Sequence, residues 1–265
     1  MKIIFNRIFK LDVFNNFNVF FAKKLIKYSK IFFVKTNLIN LPVQNHPLKL
    51  DFKEELKKIT KFKNNSKIAP FVSYSHLIDL LAVYSESKKK IVFYDFGAGN
   101  LSLYFYIKKK IKSFIYIYHD QKEYVELTNI IKQKFNLSNL IIYKKNKIKK
   151  LDFVYFGSVI QYLGNYKKEI SNFFGKTKFI IISQTPFFSN KLSKNIVVKQ
   201  LNLFPIINYL YFINIDFFIR FMKKNNYVLL NRSINKIAKF VNFKNFEKKY
   251  HNLQMYDLIF KYEKK

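Results

Sequence analysis

From Ser75 onward the chain alternates two kinds of hydrophobic pattern. His76 to Tyr84 places Leu77, Leu80, Leu81 and Tyr84 on one helical face, with Ser75 as its N-cap. After Lys88-Lys89-Lys90 the unbroken apolar run Ile91 to Tyr94 reads as a short buried strand. A helix over Leu101 to Ile111, a strand over Phe114 to Tyr118 and a helix over Gln121 to Phe135 follow; in the last, Tyr124, Leu127, Ile131 and Phe135 share a stripe. Strands at Leu140 to Tyr143 and Phe153 to Phe156, a helix near Tyr166 to Phe174 and a strand at Phe179 to Ser183 continue the rhythm. Strands too apolar to keep a wet face, alternating with helices, predict a mostly parallel sheet covered on both sides, the three-layer α/β arrangement. The end departs from this: a helix at Asp216 to Lys224 is followed by strands at Tyr227 to Asn231 and Met255 to Tyr262 with no regular crossover helix between them. That spacing predicts an antiparallel last strand.

Residues 1–74 lack the alternation and carry Pro42, Pro47 and Pro70 as punctuation, so a mainly helical or irregular N-terminal extension is expected ahead of a domain spanning 75–265. Within it, the basic, Phe-rich segment Phe14 to Val34 suits an amphipathic helix packed on the domain better than one lying on a membrane. The extension's role as a lid or surface attachment stays open.

Composition narrows the chemistry. The absence of cysteine among 265 residues removes disulfides, zinc–thiolate sites, iron–sulfur clusters and a thiol nucleophile, and a cytoplasmic location is expected. A net charge of +33 suggests a polyanion partner. Yet the basic residues are nearly all Lys, with Arg only at positions 7, 220 and 232, alongside an excess of Asn, Ile, Phe and Tyr. An A+T-rich coding sequence produces that joint excess whatever the function, and Arg is the preferred fork for phosphate and guanine. A nucleic-acid partner is therefore disfavoured, while peripheral attraction to an anionic membrane stays open. No apolar run reaches the roughly 18 residues of a membrane span, and Met1 to Leu11 lacks the apolar core of a signal peptide.

Only five glycines occur, yet two sit two apart directly after a buried strand, in Ile91-Val92-Phe93-Tyr94-Asp95-Phe96-Gly97-Ala98-Gly99-Asn100. Glycines there let the backbone turn sharply into a helix and approach a ligand at the carboxyl end of the sheet. Asp120, after the second strand, is placed to hold ribose hydroxyls or to cap the helix that follows; His119 beside it reads as a packing or adenine-side residue. Gly97, Gly99 and Ser102 come near a dinucleotide fingerprint. Against that reading, Asp95 puts a negative charge where a pyrophosphate is repelled and the amino group of a methionine moiety is welcome. No phosphate-loop lysine motif, Gly-x-Ser-x-Gly elbow or His-Glu-x-x-His helix occurs, and no metal site is expected.

At these residues the chain resembles a family. Asp95 to Tyr104, Leu151-Asp152-Phe153-Val154-Tyr155-Phe156-Gly157-Ser158 with Val159 to Leu163, and Ser183-Gln184-Thr185-Pro186-Phe187 resemble successive blocks of class I S-adenosylmethionine-dependent methyltransferases of bacterial surface-polysaccharide gene clusters. Gln200, Tyr209 and Asp216 to Tyr227 extend the likeness. It implies a Rossmann-like sheet with S-adenosylmethionine across the ends of its first, second and fourth strands. Asp95, Gly97 and Gly99 then meet the methionine part and Asp120 the ribose; Ser158 borders the methyl group, and Gln161 and Tyr162 the acceptor. The implied reaction is methyl transfer to a small or glycan-linked acceptor such as a sugar hydroxyl, with Tyr162 or His76 as weak candidates for a base. Leu101 stands where such enzymes place a third glycine, and Gln184 where they place a basic residue. RNA methylation and a non-catalytic binding module are the rival readings.

Overall fold

The unbroken apolar runs become the centre of one sheet. The computed structural model describes residues 33–42, 51–64, 75–144, 150–189, 194–203, 206–235, 243, 250 and 252–264. In chain order the elements are β1 (Phe33–Lys35), α1 (Phe52–Asn64), α2 (Ser75–Glu86), β2 (Ile91–Phe96), α3 (Ser102–Lys110), β3 (Phe114–His119), α4 (Lys122–Lys134), β4 (Leu140–Ile142) and β5 (Leu151–Gly157). A 3-10 turn (Ile160–Tyr162), α5 (Tyr166–Ser171), β6 (Thr177–Phe188), β7 (Ile196–Leu203), β8 (Ile206–Asn214), α6 (Ile215–Lys224), β9 (Tyr227–Ile234) and β10 (Gln254–Tyr262) complete them.

β4, β3, β2, β5 and β6 lie side by side, all parallel. β10 inserts between β6 and β9, antiparallel to both. Because successive side chains leave a strand on opposite faces, each central strand feeds two cores. Phe93, Tyr116 and Tyr155 pack with Ile59 of α1, Leu81 of α2, Leu103 of α3 and Ile131 of α4. Tyr94, Val154, Phe156 and Ile180 pack on the other side with Ile170 of α5 and Phe218 and Met222 of α6. This is the expected three-layer, mostly parallel arrangement with an antiparallel last strand.

Three differences matter. The segment between Phe187 and Asp216, where the pattern predicts no element, holds β7 and β8, which pair antiparallel with each other. β6 runs on to Phe188, past the predicted end at Ser183, and its last residues pair with β8. Since β10 occupies one edge of β6 as far as Phe187, β8 takes the edge that β5 vacates at Gly157. Second, Phe33 and Val34 belong to strand β1, paired to β7, and not to a helix; the rest of the predicted helix from Phe14 lies outside the described residues. The pairing opportunity on β7 overrides local helical patterning. Third, α3 starts at Ser102 because Leu101 is left-handed.

At the opposite, amino edge, Asp152 is buried at the start of β5 and ties three elements together. It accepts from Val92 N at 2.8 Å, from the Tyr84 hydroxyl at 3.1 Å and from the Lys88 ammonium. Burial, with Asp152 beside it, pushes the Tyr84 phenol up to about 12. Asp152→Ala leaves a buried N–H and a phenol without their acceptor, a loss of about 2–4 kcal/mol. Calorimetry of the variant is expected to show a midpoint lowered by roughly 4–16 °C.

Candidate functional site

β2 carries its only acid one residue from its carboxyl end, flanked in register by Tyr118 of β3 and Tyr155 of β5. Asp95 is 2% exposed, and the Tyr116 hydroxyl donates to it. Burial pushes its carboxyl up to about 7 against the pull of that hydrogen bond, with a smaller upward push from Asp120. A carboxylate held this way binds either a proton or a cation at neutral pH.

The chain leaves β2 through two left-handed glycines, Gly97 at φ 71° and Gly99 at φ 60°. The N–H groups of Gly97 and Ala98 both donate to His119 O, at 2.8 and 3.3 Å, which docks the loop on the end of β3. The two glycines differ in surroundings. A Cβ at Gly97 would meet Val159 Cγ2 at 2.7 Å, whereas one at Gly99 has nothing within 4 Å. Gly99 N donates to Asp120 Oδ2 at 2.6 Å, and Gly99 O accepts from the Tyr118 hydroxyl at 2.5 Å. Asp120 Oδ1 accepts from Gln121 N at 2.7 Å, and burial holds its carboxyl above the usual range. Gln121 occupies the N-cap position of α4 with no side-chain cap, so Asp120 serves the glycine loop and not the helix start.

His119 points to the other face. Its Nδ1 shares a hydrogen bond of 2.5 Å with the Tyr94 hydroxyl, its ring packs on Phe96 and Tyr143, and burial lowers its pKa. It is a packing residue of the aromatic cluster beside the loop.

The ends of β5 and β6 add the second half of the edge. Ser158 is left-handed at φ 55°, and its N donates to Ser183 O at 2.9 Å. Gln161, 2% exposed, donates to Ser158 Oγ at 3.1 Å and accepts from Thr185 Oγ1 at 3.3 Å. The half-buried Tyr162 donates to Gln200 Oε1 of β7 at 2.8 Å, and burial raises its phenol. A phenol that already donates to Gln200 and is shifted upward is a poor proton acceptor at neutral pH. His76 lies in the first turn of α2, and its side chain is outside what is described. The structure thus brings Asp95, Gly97, Gly99, Asp120, Ser158, Gln161 and Tyr162 to one edge. Among the described residues no group of three or more His, Cys, Asp or Glu could hold a metal ion.

Sequence reasoning missed Tyr116, the partner of Asp95, and Asp257. Buried on β10, Asp257 accepts from Ser183 Oγ at 2.5 Å, Gln184 N at 2.9 Å and Asn235 Nδ2 at 2.9 and 3.1 Å. It thereby fixes Gln184 at φ 51°, inside β6. A lone acid within Met255-Tyr256-Asp257-Leu258-Ile259-Phe260 was the available signal: a carboxylate in a buried strand needs donors nearby.

Leu101, Ser158 and Gln184 are three non-glycine residues in left-handed conformation on this edge, each costing about 1–2 kcal/mol of backbone strain. Leu101 is fully buried, and its side chain accounts for its tolerance. Leu101→Gly is expected to relieve the backbone yet lose about 1–3 kcal/mol net, because removing a buried Leu outweighs that relief. Gly97→Ala, strained and clashing with Val159, is expected to cost about 2–4 kcal/mol, and Gly99→Ala about 1 kcal/mol. Denaturant titration of the three variants checks this order.

The chain matches no protein-family model and no curated protein in sequence. Its fold is similar to solved structures. One is the Burkholderia thailandensis 1,6-didemethyltoxoflavin-N1-methyltransferase with bound 1,6-didemethyltoxoflavin and S-adenosylhomocysteine, at TM-score 0.51 and 8% identity over 87% of this chain and 100% of that one. Another is an S-adenosylmethionine-dependent methyltransferase from Clostridium acetobutylicum ATCC 824, at TM-score 0.52 and 10% identity over 80% of this chain and 99% of that one. At these identities the likeness is one of fold: the chain has the Rossmann-like architecture of these methyltransferases.

Proposed function

We propose that the chain is an S-adenosylmethionine-dependent methyltransferase acting on a small, neutral, hydroxylated acceptor, a sugar hydroxyl being the class that its uncharged polar wall suits. The observation that carries the reading is the buried Asp95 carboxylate at the end of β2, felt electrostatically by the Asp120 that holds Gly99 N. A cation satisfies that carboxylate, and the amino group of a methionine moiety is one; a pyrophosphate is repelled. Asp120 keeps lone pairs for ribose hydroxyls beyond those used by Gly99 and Gln121.

Bound there, S-adenosylmethionine supplies a methyl group on a sulfonium, already activated for in-line displacement. The chain's own task is alignment, exclusion of water and, for a hydroxyl acceptor, passage of the released proton to solvent or to a carboxylate of this edge. Ser158, Gln161 and Tyr162, braced by Thr185 and Gln200, offer hydroxyl and amide groups on the acceptor side, and β8 stands above the end of β5 as a further wall. The acids Asp95 and Asp120 lie at the ends of β2 and β3, where they repel a phosphate backbone, which favours a small acceptor over RNA.

Thermal unfolding with S-adenosylhomocysteine, S-adenosylmethionine and NAD tests the reading. The two adenosyl ligands at about a hundredfold over their dissociation constants are expected to raise the midpoint by roughly 5–11 °C. Asp95→Asn and Gly99→Ala should abolish the rise; a rise with NAD alone, or with nothing, overturns the assignment in favour of a dinucleotide site or a non-catalytic module.

The pH dependence follows from Asp95. Its folded-state pKa lies above the unfolded value, so its contribution to apo stability is fully present below about pH 4 and is lost as pH rises through about 7. Binding of an ammonium needs the ionised form. Affinity for S-adenosylhomocysteine is therefore expected to rise about tenfold per pH unit up to about 7 and flatten above it. Calorimetric titration across that range should show the slope vanish in Asp95→Asn.

A further inference from the structure

We infer that the amino edge of the sheet, opposite the candidate site, docks on an anionic lipid surface. Lys88, Lys89 and Lys90 precede β2, Lys112 precedes β3, Lys150 precedes β5 and Lys176 precedes β6, so parallel topology gathers all six at one edge. The last turns of α3 and α6 end there in Lys108–Lys110 and Lys223–Lys224. Antiparallel β10 delivers Lys261 and Lys264 to the same edge.

From β4 to β9 the strip spans six strand spacings, about 30 Å. The described acids on it are few. Asp152 is buried and held by Lys88, Glu263 lies 4.0 Å from Lys261, and Glu86 ends α2. The carboxyl edge holds Asp95, Asp120, Asp216 and Asp257 beside a thinner scatter of lysines, Lys122, Lys144, Lys167, Lys168 and Lys194. A compositional bias sets how many lysines the chain has; it does not sort charges between two ends of a sheet.

The chemistry of the strip favours lipid headgroups over nucleic acid. The two described arginines lie elsewhere, Arg220 within α6 and Arg232 within β9, so guanidinium forks for bases are missing from it. The exposed large apolar residues among those described are Leu, Ile and Val, which give bases no ring to stack on. Flexible ammonium groups along this edge suit a surface of anionic headgroups, where each adds to affinity without specific geometry. Docked so, the glycine loop faces away from the bilayer at a height of about 20 Å, one strand length.

The test is cosedimentation of the full chain with vesicles of phosphatidylcholine, and with vesicles in which about a third is phosphatidylserine. Binding only to the anionic vesicles, weakening steeply with salt, is expected. Lys89→Glu/Lys90→Glu/Lys109→Glu/Lys112→Glu should bind at least about a hundredfold more weakly. Lys53→Glu/Lys57→Glu/Lys61→Glu/Lys194→Glu, of identical net charge, should bind as the parent does. Glutamine at the same four strip positions should give a smaller loss in the same direction, which keeps the comparison decisive if the glutamate variant misfolds. Equal loss in both glutamate variants, absence of vesicle binding, or displacement of vesicles by RNA at equal phosphate concentration each overturns the proposal.

Discussion

The carboxylate of Asp95, taken out of water at the end of β2, sets the terms for the residues around it. Two neighbouring strands fix its position, Tyr116 supplies one hydrogen bond, and burial still outweighs that bond. The same dry surroundings require the loop that covers it to satisfy its own backbone. Hence Gly97 and Ala98 donate to the end of β3, and Gly99 is clasped between Asp120 and Tyr118. Gly97 must lack a side chain because Val159, in the turn after β5, fills that space. The two acids are coupled electrostatically, and Asp120 orders the loop that follows Asp95.

Much of this was legible in the sequence because it rests on local signals. The parallel strands announce themselves as apolar runs without a wet face, and the glycine pair stands out in a chain with so few glycines. Asp95, Gly97, Gly99 and Asp120 could be assigned to strand ends from the apolar runs alone, and the structure puts them there. What stayed hidden depends on partners far along the chain. β1 is three residues long and exists because β7 offers it an edge, and β8 is aligned by the last two residues of β6. Tyr116 reads as one more core aromatic until its hydroxyl is seen against Asp95. Tyr162 could be named but not assigned a task, since its partner Gln200 is 38 residues away.

Leu101 shows the same limit from the other direction. Its identity departs from the glycine that a left-handed residue prefers, and sequence alone does not say how the loop accommodates it. The structure keeps the left-handed backbone and fills the space beside it with a fully buried leucine, so strain and packing oppose each other at one residue. The loop's shape therefore survives the substitution, and with it the open face at Gly99.

The two ends of the sheet differ in how their backbones are held. At the amino edge Asp152 draws β2, β5, α2 and Lys88 together through bonds that have no strain to balance. At the carboxyl edge Leu101, Ser158 and Gln184 all sit in left-handed conformation, held by burial, by Ser183 and by Asp257. Such strain persists only where the surroundings overdetermine it, and here the surroundings are the ends of β3, β6 and β10. A ligand that engages Asp95 and Asp120 would reinforce the bonds that already hold the edge in shape, so the site is organised before anything binds. Preorganisation of that kind is what methyl transfer from an activated donor asks of a protein, since alignment and dryness favour the in-line step.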